Sequence, residues 1–211
     1  MGLLYQIKPK TKQALLESAT PQNPNQPEVI PWILYDTQTY TSASSTTLAF
    51  FQSVQTDKSL GNMEGAGQLP DPQFFEIYRI GMDILFRPSF STATVNPATG
   101  PLDDIAQLVL SGRGNFILAI SNKNYGPFPL SFLHGSGGPT GFMSGTYVAT
   151  NEREYANNGI FDGGYPLNGA LVLPPKVGFS IVINWPAALT LANGNTPIRV
   201  WMAGPLYRRV L

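Results

Sequence analysis

The sequence has no cysteine and only one histidine, His134. The absence of cysteine excludes a disulfide framework, a thiolate zinc site and a cysteine nucleophile. One histidine cannot form the cluster with which β-sandwich metalloenzymes of the cupin type bind their metal. A Ser-His-acid triad is not indicated either, because no serine lies in a Gly-x-Ser-x-Gly turn between a strand and a helix. His134 is therefore predicted to be a loop residue.

Motifs for other chemistries are also missing. Asp103 and Asp104 suit the start of a helix, and Glu152 and Glu154 fall in a predicted loop where solvation explains them. The chain has no Walker sequence, no dinucleotide-binding glycine pattern and no calcium-loop spacing of acidic residues. We therefore predict no catalytic, metal-binding or cofactor-binding residue, no cofactor, and a protein that is not an enzyme.

Charge is scarce. Charged residues make up 12% of the 211 residues, and 13 basic residues balance 13 acidic ones. This share is about half the usual value of about 25%. Near-zero net charge promotes association, so the deficit favours a surface that meets other protein molecules. The alternative is a monomer whose surface is built from Ser, Thr, Asn and Gln. The 13 basic and 13 acidic residues together give no strong electrostatic field of the kind that would predict nucleic-acid binding.

Long hydrophobic runs are absent as well. No stretch approaches the roughly 20 apolar residues of a membrane-spanning helix. Residues 1–12 lack the apolar segment of a secretory signal. We expect a soluble protein, or one that its partners hold at a surface.

Glycine and proline are abundant, with 21 and 19 residues, which favours short strands joined by many loops. The clearest strand is predicted over residues 74–87, where Tyr78, Ile80 and Met82 share one face. Leu48, Phe50 and Val54 are likewise predicted to share a face. With the alternation in the last third of the chain, we expect about eight or nine strands.

One helix is predicted over residues 103–110, and Gly204-Pro205 is predicted to form a turn. No alternation of strands and helices and no internal repeat is present. The predicted fold class is all-β: an antiparallel β-sandwich, a single jelly roll with one short helix and long loops.

The proline-rich run at residues 21–27 cannot continue a helix or lie in a central strand. Residues 1–30 are therefore predicted to form an extended N-terminal arm and linker, and residues 31–211 the jelly-roll domain. An arm on a linker can reach a neighbouring subunit, whereas a frayed terminus is the alternative.

Three segments resemble capsid proteins of tailless icosahedral bacteriophages and related viruses, which build shells from upright jelly rolls. Residues 62–75 read Asn-Met-Glu-Gly-Ala-Gly-Gln-Leu-Pro-Asp-Pro-Gln-Phe-Phe, and residues 115–120 read Asn-Phe-Ile-Leu-Ala-Ile. The third segment, residues 173–209, includes Phe-Ser-Ile-Val-Ile-Asn-Trp-Pro and Ile-Arg-Val-Trp-Met-Ala-Gly-Pro-Leu-Tyr-Arg-Arg. The double-jelly-roll capsid proteins of this lineage are longer, so only one roll fits this chain.

The resemblance implies a virion structural protein that self-assembles into capsomers of an icosahedral shell, with itself and other capsid proteins as partners. It implies assembly in the host cytoplasm and leaves open whether the protein is a major, minor or vertex capsid protein. Contact with an internal membrane or the genome is also left open, and no small-molecule substrate is expected.

Assembly interfaces favour aromatic anchors in a low-charge setting, and basic groups suit lipid head groups or a genome. The candidate contact residues are Lys8, Lys10, Lys12, Trp32, Tyr35, Tyr40, Arg208 and Arg209. Trp185 and Trp201 are also considered, with packing in the core as the alternative. A second hypothesis is a lectin-like, carbohydrate- or receptor-binding sandwich, based on the loops at 155–158 and 161–162. A third is a glycoside hydrolase on the same scaffold.

Overall fold

The structure is a computed structural model, which describes residues 28–85, 104, 106–111, 113–133, 142–144, 153–155, 164–191 and 194–208. Strands are the main regular structure of this part, and its helical segments are short. The strands are β1 (Glu28–Tyr40), β2 (Thr47–Phe50), β3 (Phe74–Ile84), β4 (Asn115–Ile120), β5 (Lys123–Pro129), β6 (Phe142–Ser144), β7 (Arg153–Tyr155), β8 (Tyr165–Leu173), β9 (Phe179–Asn184) and β10 (Thr196–Arg208).

Eight of these strands form two antiparallel four-stranded sheets, with the orders β1-β10-β3-β8 and β2-β9-β4-β5. Strand β1 pairs with β10, β2 with β9, β3 with β8, and β4 with β5. The pairs are therefore nested: the two outermost strands of the described chain pair with each other, and each further pair lies between them in the sequence, as in one long hairpin. Rolled into two sheets, such a hairpin is a jelly roll. The structure confirms the predicted fold class, and β6 and β7 add a small hairpin between β5 and β8.

The core lies between the two sheets and consists of alternate residues of the facing strands. In β9, Phe179, Ile181 and Ile183 are buried, while the residues between them are half-buried. Strand β10 contributes Ile198 and Val200 from the opposite sheet. Each fully buried side chain of this size contributes about 1.5–3 kcal/mol of transfer free energy. The period-2 patterns of these strands are confirmed.

Two predicted face assignments are wrong. Tyr78 does not share the face of Ile80 and Met82, because the pairing of β3 with β8 shifts between Ile77 and Arg79. This bulge reverses the alternation, so Ile77 and Ile80 are both buried while Tyr78 is 44% exposed. Val54, also exposed, lies outside β2 because that strand ends at Phe50.

The predicted turn at Gly204-Pro205 is also wrong, because β10 continues through it to Arg208. The register against β3 shifts between Ala203 and Leu206, so the two residues form a bulge within the strand. Gly204 is required there because a Cβ atom would collide with the carbonyl oxygen of Glu76. A glycine-proline pair can therefore remain in a strand when a bulge accommodates it.

The predicted helix is present in the described part of the chain as a π-helical segment, Ala106–Ser111, wider than an α-helix. Its Leu108 and Val109 side chains are buried, and its Leu108 carbonyl accepts a 2.9 Å hydrogen bond from the Trp185 indole. Trp185 is buried, so the core alternative holds for this residue. No helix among the described residues is long and apolar enough to cross a membrane.

Candidate interaction surface

The candidate contact residues lie in different parts of the chain, and the structure describes only some of them. Lys8, Lys10, Lys12 and Arg209 lie outside the described residues, as does His134. Strand β1 begins at Glu28, ahead of the predicted start of the domain, and carries Trp32, Tyr35 and Tyr40. Arg208 is the last residue of β10.

Tyr40 was expected at the surface, and this prediction is wrong. Its side chain is fully buried, with the ring packed edge-on against Trp185 at a centroid distance of 4.9 Å. Its hydroxyl accepts a 2.7 Å hydrogen bond from the backbone N–H of Leu189. Tyr40 occupies a core-facing position of β1, like Leu34, and is therefore part of the hydrophobic core.

Trp32 and Arg208, by contrast, line one recess of about 70 Å³. They come together because β1 and β10 pair in antiparallel register along their full lengths, with Glu28 opposite Arg208. Buried apolar residues of the recess are Leu34, Met63, Leu69 and Leu206. Polar residues of the recess are Asn62, Glu64, Gln68 and Gln73. An apolar floor with a polar rim is typical of protein-binding surfaces.

In the paired segment beside this recess, strand β1 carries exposed apolar side chains on both of its faces, while Leu206 and Tyr207 of β10 are buried. We call residues 28–33 of β1 and 203–208 of β10 the ribbon end. Val29 is 51% exposed, Trp32 39% and Ile33 52%, although consecutive strand residues point to opposite faces. At its tip, Arg208 Nε lies 2.6 Å from Glu28 Oε2, and both side chains are partly exposed. A cluster of exposed large apolar side chains marks an interaction site.

The free edge of β1 is closed next to the ribbon end. Asn62 accepts a 2.9 Å hydrogen bond from the Tyr35 N–H and donates a 2.6 Å bond to the Ile33 carbonyl. Its own N–H donates to the Tyr35 carbonyl at 3.2 Å. Pro31 has no N–H to offer to another strand. An edge closed in this way is protected against the addition of a further strand.

Asp36 fixes the segment that leads to Asn62. This carboxylate is 1% exposed and accepts four hydrogen bonds. Two come from the backbone N–H groups of Thr37 and Phe51, at 2.9 and 2.7 Å. The other two come from the side-chain amides of Gln38 and Gln55, both at 3.0 Å. Sequence reasoning missed this residue, although an acidic residue at a core-facing position of a strand was a usable signal.

Tyr35 contacts the same segment, residues 51–62, from the outer face of the sheet. Its hydroxyl donates a 2.6 Å hydrogen bond to the Lys58 carbonyl. The Arg199 guanidinium lies 5.0 Å above its ring and donates to the Ser59 carbonyl at 2.6 Å. Tyr35 therefore contacts residues of its own chain. Trp32 and Arg208 are the candidate contact residues whose side chains remain partly exposed to solvent.

The described residues also bear on the requirements of a metal site, a ligand groove and an activated side chain. They contain no group of three or more His, Asp or Glu that could hold a metal ion. An open groove of about 420 Å³ lies between the π-helical segment and β5, with Arg113, Asn115 and Ser131 as its main polar residues. The hydrogen bond from Tyr78 to Glu76 raises the pKa of Tyr78 to about 12, and partial burial adds to this effect. That phenol is held neutral and is not activated as a base.

Comparisons of the chain with models of known protein families, with curated proteins and with solved structures find no match.

Proposed function

We propose that this protein is a structural subunit of an icosahedral virus shell, present in the virion and assembled in the host cytoplasm. The observation that carries the proposal is a jelly roll with 12% charged residues, zero net charge and a cluster of exposed apolar side chains at one end. A jelly roll with few charges is suited to a place among other protein molecules, where neighbours cover its apolar surface. Its partners are further copies of itself and other capsid proteins.

The resemblance to phage capsid proteins also supports the proposal, because its segments fall on the framework of the sandwich. Residues 62–75 lead into β3, residues 115–120 form β4, and residues 173–209 run through β9 and β10. We assign no catalytic activity to the protein. Contact of the basic residues Lys8, Lys10, Lys12, Arg208 and Arg209 with a membrane or genome stays a prediction.

The test is the assembly state of the purified full chain. We expect sedimentation velocity to show oligomers that grow with protein concentration, and electron microscopy to show uniform capsomers or shells. Association should persist at high salt because the exposed apolar side chains supply most of the contact, and near-zero net charge leaves little repulsion between copies at low salt. A monomer at every concentration and ionic strength would contradict the proposal.

The lectin-like hypothesis is not favoured by any described residue. Of its loops, the structure describes only the Tyr155 backbone, at the end of β7, while residues 156–158 and 161–162 lie outside the described residues. Binding of the monomeric protein to a defined glycan on an array would favour it over assembly.

A further inference from the structure

The ribbon end is apolar but is not suited to an added strand. Val29, Trp32 and Ile33 are all more than one-third exposed. Asn62 occupies the backbone groups of the free edge at Ile33 and Tyr35, and Pro31 lacks a donor. A partner must therefore meet the side chains of the ribbon end rather than extend its sheet.

The charges of the ribbon end indicate which partner fits. Glu28 and Arg208 lie side by side at the tip, with side-chain exposures of 39% and 47%. In a contact related by a two-fold axis, the same patch of each copy meets itself. A patch that carries an acid beside a base can then offer each copy the opposite charge, so it is self-complementary.

We propose that the ribbon end is a two-fold contact between two copies of this chain, with Trp32 as its apolar anchor and Glu28 of each copy facing Arg208 of the other. This inference rests on the proposed function, because it assigns a surface through which two shell subunits contact each other. The side chains that carry it belong to one strand pair, so the register of β1 against β10 positions the whole patch.

Charge reversal tests the contact. In Glu28→Arg, two bases at the tip of each copy face two bases, and in Arg208→Glu two acids face two acids. Each variant alone should self-associate about tenfold more weakly or worse, since like charges then face each other across the contact. An equimolar mixture of the two variants should recover the association of the wild-type chain, because opposite charges then face each other.

The chain offers a matched control. Asp83 is exposed in β3 opposite Arg199, at the other end of that strand from Phe74, which lies beside Tyr207 of the ribbon end. Lys123 is exposed at the start of β5, in the second sheet. Asp83→Arg and Lys123→Glu should leave self-association unchanged. Circular dichroism and thermal unfolding of all four variants check that each one folds.

Sedimentation equilibrium of the wild-type chain, the variants and the mixture separates the outcomes. If the wild-type chain associates and neither reversal at the ribbon end weakens it, the two-fold contact is wrong while the proposed function stands. Weakening without recovery in the mixture would also overturn the two-fold arrangement. A wild-type chain that never associates contradicts the proposed function itself.

Discussion

At the scale of single residues, polar side chains such as Asp36 and Tyr40 have specific partners inside the sandwich. Asp36 is the clearest case, because its two oxygens accept four hydrogen bonds from two segments of the chain, β1 itself and residues 51–55. A buried carboxylate is tolerated only when such donors replace the water that it loses. Its effect is to join β1 to the segment that closes the edge of the sheet.

Asp36→Asn should destabilise the fold by about 2–3 kcal/mol, because the new amide directs its own N–H groups at donors and leaves a backbone N–H without an acceptor. Urea unfolding measures the change. Asp83→Asn, at an exposed position of β3, is the control and should change stability by no more than about 0.5 kcal/mol. Equal effects of the two substitutions would contradict the role of Asp36.

Tyr78 predicts how stability depends on alkaline pH. Its pKa is raised from 10.0 to about 12 by the hydrogen bond to Glu76, so the folded state prefers the neutral phenol. The stabilisation is fully present below pH 10 and is lost as pH rises through about 12.

The free energy of unfolding should therefore fall less steeply above pH 10 in Tyr78→Phe than in the wild-type chain. Absorbance of tyrosinate at alkaline pH, compared between the two proteins, reports the ionisation of Tyr78 directly. A phenol that titrates near pH 10 in the folded wild-type chain would contradict the prediction.

At the scale of elements, irregularities in pairing decide what each strand shows to the core and to solvent. The bulges of β3 and β10 lie beside each other, where Gly204 passes the Glu76 carbonyl. They keep Phe75 and Leu206 buried while Tyr78 turns outward. The close approach of two backbones makes the absence of a side chain at position 204 necessary.

Gly204→Ala should destabilise the protein by about 1–3 kcal/mol, because the new Cβ atom forces β10 away from β3. Gly178→Ala is the matched control, since no atom lies within 4 Å of a Cβ built there. Its effect should stay within about 0.5 kcal/mol. Thermal unfolding of the two variants distinguishes the positions, and a neutral Gly204→Ala would disprove the tight approach.

Closure of the β1 edge is a second property of an element. Asn62→Ala removes both side-chain hydrogen bonds to β1 and leaves the Ile33 and Tyr35 groups open to another strand. We expect a loss of about 1–3 kcal/mol and faster aggregation into thioflavin-binding material. Asn124→Ala, at an exposed position of β5, should do neither. Unchanged aggregation of Asn62→Ala would show that the edge is closed by other means.

At the scale of the whole molecule, the jelly roll brings distant segments to one end. Residues 28–33 and 203–208 form the ribbon end because the first and last strands pair. The exposed apolar side chains of this end belong to a chain with little charge elsewhere. Both features are expected of a subunit whose neighbours complete its surface.

Trp32→Ala should weaken self-association about tenfold or more at a temperature where thermal unfolding shows the variant to be folded, because large aromatic side chains often dominate interfaces. Val54→Ala removes a similarly exposed apolar side chain that is not part of the ribbon end and should leave association unchanged. Sedimentation velocity compares the two variants. Equal behaviour would mean that Trp32 is not an anchor.

The sequence by itself determined the fold class and most of the strands. Alternation of apolar and polar residues is a local property, because the side chains of a strand point to opposite faces in turn. It located β4, β9 and most of β3 and β10 without knowledge of their partners. Low charge and the absence of cysteine were likewise visible in the sequence, as was Trp32 as a candidate contact.

Only the tertiary structure decided which strands pair, where the bulges lie and which aromatic side chains are exposed to solvent. Tyr40 and Trp32 both lie in β1, yet one is buried against Trp185 and the other lines a recess with Arg208. Tyr78 turns outward because a neighbouring strand shifts its register. These outcomes depend on contacts between residues far apart in the chain, and a local pattern carries no information about the partner that a strand will meet.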